Sequence, residues 1–170
     1  MNRVKSWSKQ LDKRRTQKQL ELLRQAIDLA NEAGRHGNLP IGALVVLDED
    51  VIGQGMNAIW KPELALTRHA EMEALRAVNP ELWERAAEMA LYTTLEPCLM
   101  CAGAILLHGI GHVVYGSTDP YGGVGTALRS LPQHFRQQFS RCRWEGPALP
   151  AECDPLYRRV QELEDFQITS

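Results

Sequence analysis

A chain of 170 residues, 44% hydrophobic and 24% charged, is long enough to bury a real core and fits one globular domain. It has no apolar run near the ~20 residues that cross a bilayer, and its first residues lack the apolar core of a secretion signal. Four cysteines are too few for a disulfide framework, so a reducing cytoplasm is the expected setting.

The net charge of −2 is unevenly spread. The first 24 residues set Arg3, Lys5, Lys9, Lys13, Arg14, Arg15, Lys18 and Arg24 against only Asp12 and Glu21. Residues 1–15 read as a basic, partly frayed arm and 16–170 as a single domain. Such an arm could touch nucleic acid, though a solvated segment is the simpler reading. Leu20, Leu23, Ile27 and Ala30 then repeat at helical spacing as far as Gly34. Ile41–Leu47 and Val51–Asn57 form a strand pair turned at Asp48-Glu49-Asp50. A helix follows His69, with Met72, Leu75 and Val78 as its apolar face. Ala90–Leu95 is a third strand, a second helix runs from Pro97 to about Leu107, and Val113-Val114-Tyr115 is a fourth strand. A helix over Leu128 to Phe139, a short strand near Cys142-Arg143-Trp144 and a final helix from Glu152 complete the chain. Helices alternating with strands after an opening pair imply an α/β fold of three layers, α/β/α, around a mixed sheet.

Two clusters carry chemistry. His69-Ala70-Glu71 precedes Pro97-Cys98-Leu99-Met100-Cys101. His69, Cys98 and Cys101 offer one imidazole and two thiolates, three zinc ligands that leave a fourth corner open for water, as in catalytic sites. Both clusters fall at helix starts, where free N–H groups favour thiolate over thiol. Cys98 and Cys101, three apart on one turn, can face one metal. Zinc lowers the pKa of water toward ~7 and so supplies a nucleophile at neutral pH. Glu71, two residues after His69, is then placed to move protons. A redox Cys-x-x-Cys pair or a solvated helix start are the plain readings of either cluster alone. A structural zinc site would need a fourth ligand, and neither Cys142 nor Cys153 has a partner at ligand spacing.

With these motifs the chain resembles the cytidine deaminase-like zinc deaminases, in the branch of bacterial tRNA adenosine deaminases, guanine deaminases and yeast-type cytosine deaminase. The resemblance covers about Leu20 to Pro155 and includes Leu39-Pro40-Ile41-Gly42-Ala43, Leu91-Tyr92-Thr93-Thr94-Leu95, Asp119-Pro120-Tyr121-Gly122-Gly123 and the stretch Glu145 to Cys153. It implies a five-stranded sheet, one zinc per chain and a homodimer that completes each active site. It also implies that Asn57 hydrogen-bonds the substrate, that Ala70 contacts the base through its backbone, and that Leu39 and Pro40 form an apolar wall. Phe166 is similar to an aromatic lid residue of small-base deaminases.

The departures bear on substrate. Tyr121 stands where tRNA deaminases usually have a lysine, the glycines of Gly123-Val124-Gly125-Thr126 are shifted, and an acidic tail replaces a basic C-terminal helix. Arg68 replaces a usually small or apolar residue, with no reason visible in the sequence. RNA binding without clustered Lys and Arg loses its main source of affinity. The expected activity is hydrolytic deamination of a free nucleobase or nucleoside. A tRNA-specific adenosine deaminase at the wobble position is the alternative, and a non-catalytic zinc-stabilised binding protein a third reading.

Overall fold

The computed structural model describes the backbone of residues 2–169 and the side chains of residues 16–164. Its elements are α1 (Asn2–Arg35), β1 (Gly42–Leu47), β2 (Asp50–Met56), α2 (Ala70–Arg76), a 3₁₀ segment (Pro80–Glu88), β3 (Ala90–Leu95), α3 (Leu99–His108), β4 (His112–Ser117), a short 3₁₀ turn (Leu128–Ser130), α4 (Gln133–Phe139), β5 (Arg143–Glu145) and α5 (Pro150–Thr169). The sheet is five-stranded and mixed, in the order β2-β1-β3-β4-β5. β1 is antiparallel to β2 and β3, while β4 runs parallel to both β3 and β5.

Alternation along the strands divides the core. Leu44, Val46, Tyr92 and Val114 face Leu22, Leu23 and Ala26 of α1. Ala43, Val45, Leu91 and Val113 face the opposite layer, with Ala70, Ala74, Ile105 and Leu106 of α2 and α3. The period of two thus gives three layers from one sequence pattern. α5 begins on the α1 side, where Arg24 pairs with Glu152 at 2.8 Å, and its Val160 joins the core cluster of α2 and α3. Among the described residues, no helix is long and apolar enough to cross a membrane.

The described backbone from Asn2 to Arg35 is one helix. Residues 2–33 contain no Gly or Pro and are rich in Lys, Arg, Gln and Leu, all good helix formers. The helix expected over Leu128–Phe139 is broken in two. Pro132 has no N–H to donate and forces Leu131 into extended backbone, at φ −63° and ψ 154°, so α4 starts only at Gln133.

Between β1 and β2 the turn is two residues long. Asp48 and Glu49 both have positive φ, 53° and 70°, which matches the right-handed twist of the strands they join.

Candidate metal and catalytic centre

β3 ends at Leu95, and the next residues build the centre. Glu96 and Pro97 lead to Cys98, which caps α3 with extended backbone at φ −69° and ψ 173°. His69 caps α2 in the same way, at φ −70° and ψ 154°. Neither side chain caps its own helix, so both are free to point at one another. Contact between α2 and α3 closes the gap of 29 positions. The ligand atoms of His69, Cys98 and Cys101 all lie within 4.8 Å of one another, with Cys101 buried and the other two half-buried. Cys98 Sγ stands 3.7 Å from His69 Nδ1. Tetrahedral zinc with ordinary Zn–S and Zn–N bonds requires a separation of about 3.6 Å, so the donor set fits that ion.

The electrostatics agree. A hydrogen bond from Cys101, and then the His69 imidazole, hold the Cys98 thiol down at about 4. Cys101 is pushed the opposite way, first by the same bond to Cys98, then by burial and by Glu71. Metal bound by both sulfurs would displace thiol protons. His69 is raised, first by its bond to Cys98.

Glu71 lies on the first turn of α2 and is only 3% exposed. Its Oε1 accepts a hydrogen bond from Thr93 Oγ1 at 3.1 Å, and its Oε2 accepts from Cys101 Sγ at 3.5 Å. Burial is the first cause that raises its pKa, bringing the carboxyl closer to the range where one group can both take and give a proton.

Asn57 is fully buried, and its backbone N–H bonds Ile41 O at 2.9 Å. Its Oδ1 accepts from Ile59 N at 3.3 Å, while Nδ2 is buried with no partner among the described residues. A buried amide donor without a partner is costly and calls for an acceptor. Ala70 is fully buried at the start of α2. Leu39 belongs to the main core cluster with Ile41, Ile59 and Ala70, and Pro40 beside it is buried too. The side chain of Phe166 lies outside the described residues.

Three residues emerge that sequence reasoning missed. Thr93 aligns Glu71 and shares a face of β3 with Leu91, which strand alternation alone could have indicated. Asn38 Oδ1 accepts from both Trp60 N and Lys61 N, at 2.9 and 3.0 Å, and so fixes the loop after Asn57. Glu96 is 6% exposed and accepts from Asp119 N at 3.0 Å and Gly125 N at 2.9 Å, tying the loop after β4 to the cysteine turn. A Cβ at Gly125 would stand 2.3 Å from Glu96 Oε1, and one at Gly123 2.7 Å from its carboxylate. The shifted glycines are thus the positions that let the loop close on Glu96.

Arg68 also gains an explanation. Its guanidinium bonds Glu73 Oε2 at 3.0 Å, and Arg76 reaches the same oxygen at 2.6 Å. This pairing spans the first turn of α2, which has no side-chain cap of its own and carries Glu71.

A groove of about 860 Å³ lies at the other end of the sheet against Lys18, Tyr92, His112 and Arg143. It contains none of the clustered ligands.

Residues 16–117 match the family described as the cytidine and deoxycytidylate deaminase zinc-binding region. The chain belongs to this family. The match spans both halves of the His69/Cys98/Cys101 cluster, and zinc is the family's metal. Among relatives, the tRNA-specific adenosine deaminase of Bacillus subtilis is 39% identical over 118 residues, covering 67% of this chain and 71% of its own length. The tRNA-specific adenosine deaminase 2 of Danio rerio is also 39% identical, and the chain spans only 55% of its length. A solved structure from work on A-to-I editing by tRNA:A34 deaminases is 37% identical, with a TM-score of 0.61 over 67% of this chain and 90% of that one.

Proposed function

We propose that this family member is a zinc-dependent hydrolytic deaminase, with His69, Cys98 and Cys101 as metal ligands and Glu71 as the proton carrier. One observation carries the reading: a buried carboxylate, aligned by Thr93, sits in contact with a His/Cys/Cys cluster of zinc dimensions. When bound, zinc supplies an activated water at neutral pH. Glu71 takes the proton released as oxygen adds to the amine-bearing ring carbon and gives it to the adjacent ring nitrogen. The same carboxylate then takes the proton of the added hydroxyl and delivers it to the amine, which leaves as ammonia while the carbonyl forms. Asn57 donates Nδ2 to an acceptor on the base, because its Oδ1 is already taken by Ile59.

For the substrate, the relatives' named activity supports adenosine within a tRNA ahead of a free base or nucleoside. Residues 16–170 form the deaminase unit, and the family match beginning at residue 16 supports that boundary. A free base is the second reading, favoured by the C-terminal helix. Val160 is buried in the same core cluster as Leu39 and Ala70, Leu163 packs against that cluster, and Phe166 lies three residues further on.

Ammonia release should be measured on free bases, nucleosides and an anticodon stem-loop across a salt series. An RNA substrate held by three phosphate contacts is expected to lose roughly 20- to 40-fold in kcat/KM between 50 and 200 mM salt. Deleting residues 1–15, which removes six positive charges, should flatten that slope. Turnover of a free base with no salt dependence, and none of the stem-loop, would reverse the order.

A homodimer working in the cytoplasm completes the proposal. Leu99 and Leu107 are 60% and 64% exposed on one face of α3, with open space above Gly103 between them. Such a stripe suits a two-fold helix contact. Light scattering at micromolar concentration should give twice the chain mass of 19.1 kDa. A monomer mass would rule the dimer out.

A further inference from the structure

The loop after β4 holds one large side chain that the chemistry of the metal centre does not use. Tyr121 is 96% exposed, more than any other large apolar or aromatic residue among those described. Exposed aromatics on mobile loops are common, but this mount is fixed. Asp119 Oδ1 accepts from Tyr121 N and Gly122 N, both at 3.0 Å, and from Tyr157 Oη of α5 at 2.7 Å. Glu96 accepts from Asp119 N and Gly125 N, and Val124 N donates to Pro97 O at 3.0 Å. Gly123 pairs with Cys98 in an isolated β-bridge, so Tyr121 stands two residues from a backbone contact with a proposed ligand.

The surroundings narrow what the ring can meet. Gly122 and Gly123 leave bare backbone on one side of it, Val124 is buried, and Pro120 is the one exposed aliphatic neighbour between Asp119 and Gly125. The two acids beneath the loop are turned inward and occupied by N–H and O–H donors, which moderates their repulsion of a phosphate chain. A rigid, exposed ring loses little conformational entropy when it is covered. Every nucleobase offers it a π-face.

We propose that Tyr121 is a specificity-determining residue, a platform on which a base flanking the target nucleotide stacks. The proposal rests on the reading of RNA as substrate.

The test compares Tyr121→Ala, Tyr121→Trp and Tyr121→Leu in the full chain, on an anticodon stem-loop and on free adenosine. Tyr121→Ala is expected to raise KM for the stem-loop roughly 5- to 100-fold, the range a single base–aromatic stack supports. Its kcat at saturating RNA, its zinc content and any turnover of free adenosine should be unchanged. Tyr121→Trp should restore KM, and Tyr121→Leu, with bulk but no π-face, should not. A wild-type KM in Tyr121→Ala, or full rescue by leucine, overturns the platform while leaving RNA as substrate. A KM rise accompanied by half the solution mass would instead make Tyr121 a contact between copies, and the platform would fall. Wild-type protein inert on the stem-loop overturns the RNA reading and the platform with it.

Discussion

Cys98→Ala is expected to yield protein with little or no bound zinc, whereas the wild type should carry one per chain. Cys98 is the proposed ligand whose thiol Cys101 and His69 hold down at about 4. It is also the residue from which α3 begins. Removing it takes one of three protein donors, a greater loss than the roughly 10–100-fold in affinity that follows loss of a residue merely supporting a ligand. Metal binding adds to folding stability. Saturation at 1,000 times Kd contributes about 4 kcal/mol, so the variant should also melt at a lower temperature than the zinc-loaded wild type. Elemental analysis of purified protein decides the matter, and full occupancy in the variant would remove Cys98 from the ligand set.

Glu71→Gln should separate catalysis from metal binding. The amide keeps the shape and can still meet Thr93, but it cannot carry a proton. Zinc content should be that of the wild type, and kcat should fall ~10²–10⁴-fold, the range that general acid–base groups supply. Thr93→Val is the graded control. It leaves the carboxylate in place and removes one hydrogen bond to a charged group, worth about 1.5 kcal/mol, so roughly a 10-fold loss is expected. Undiminished turnover in Glu71→Gln would assign the proton transfers to another residue. Equal losses in Thr93→Val and Glu71→Gln would point to alignment rather than proton transfer.

Much of the site is legible in the sequence because its groups are local. His69 and Glu71 are separated by one residue, Cys98 and Cys101 by two, and each pair belongs to one helical turn. Spacing of that kind fixes direction without knowledge of the fold. Asn57 is reached by a weaker route, through resemblance. Its physical warrant is the buried Nδ2 with no partner among the described residues, and burial is not visible in a sequence. Thr93, Asn38 and Glu96 act on partners 22 or more positions away. A threonine in a strand and an acid before a proline look like ordinary residues until the sheet and the loop meet them. Arg68 shows the same limit, since Glu73 and Arg76 give it a place only once α2 is wound.

The amino-acid sequence by itself determined the five strands, the helices that begin at the two motifs, the ligand chemistry and the metal. Periods of 2 and 3.6, and donor atoms suited to zinc, are properties of short segments. Pro132 is also a local signal, and its backbone constraint outweighs the apolar spacing that suggests an unbroken helix from Leu128. Only the tertiary structure decided which distant residues serve the centre. Parallel β3 and β4 end side by side, and that places Glu96 under the loop of Asp119 to Gly125. The packing of α2 against α3 then brings His69 to Cys98. Long-range contacts of this kind depend on strand order and layer packing, which no local pattern specifies.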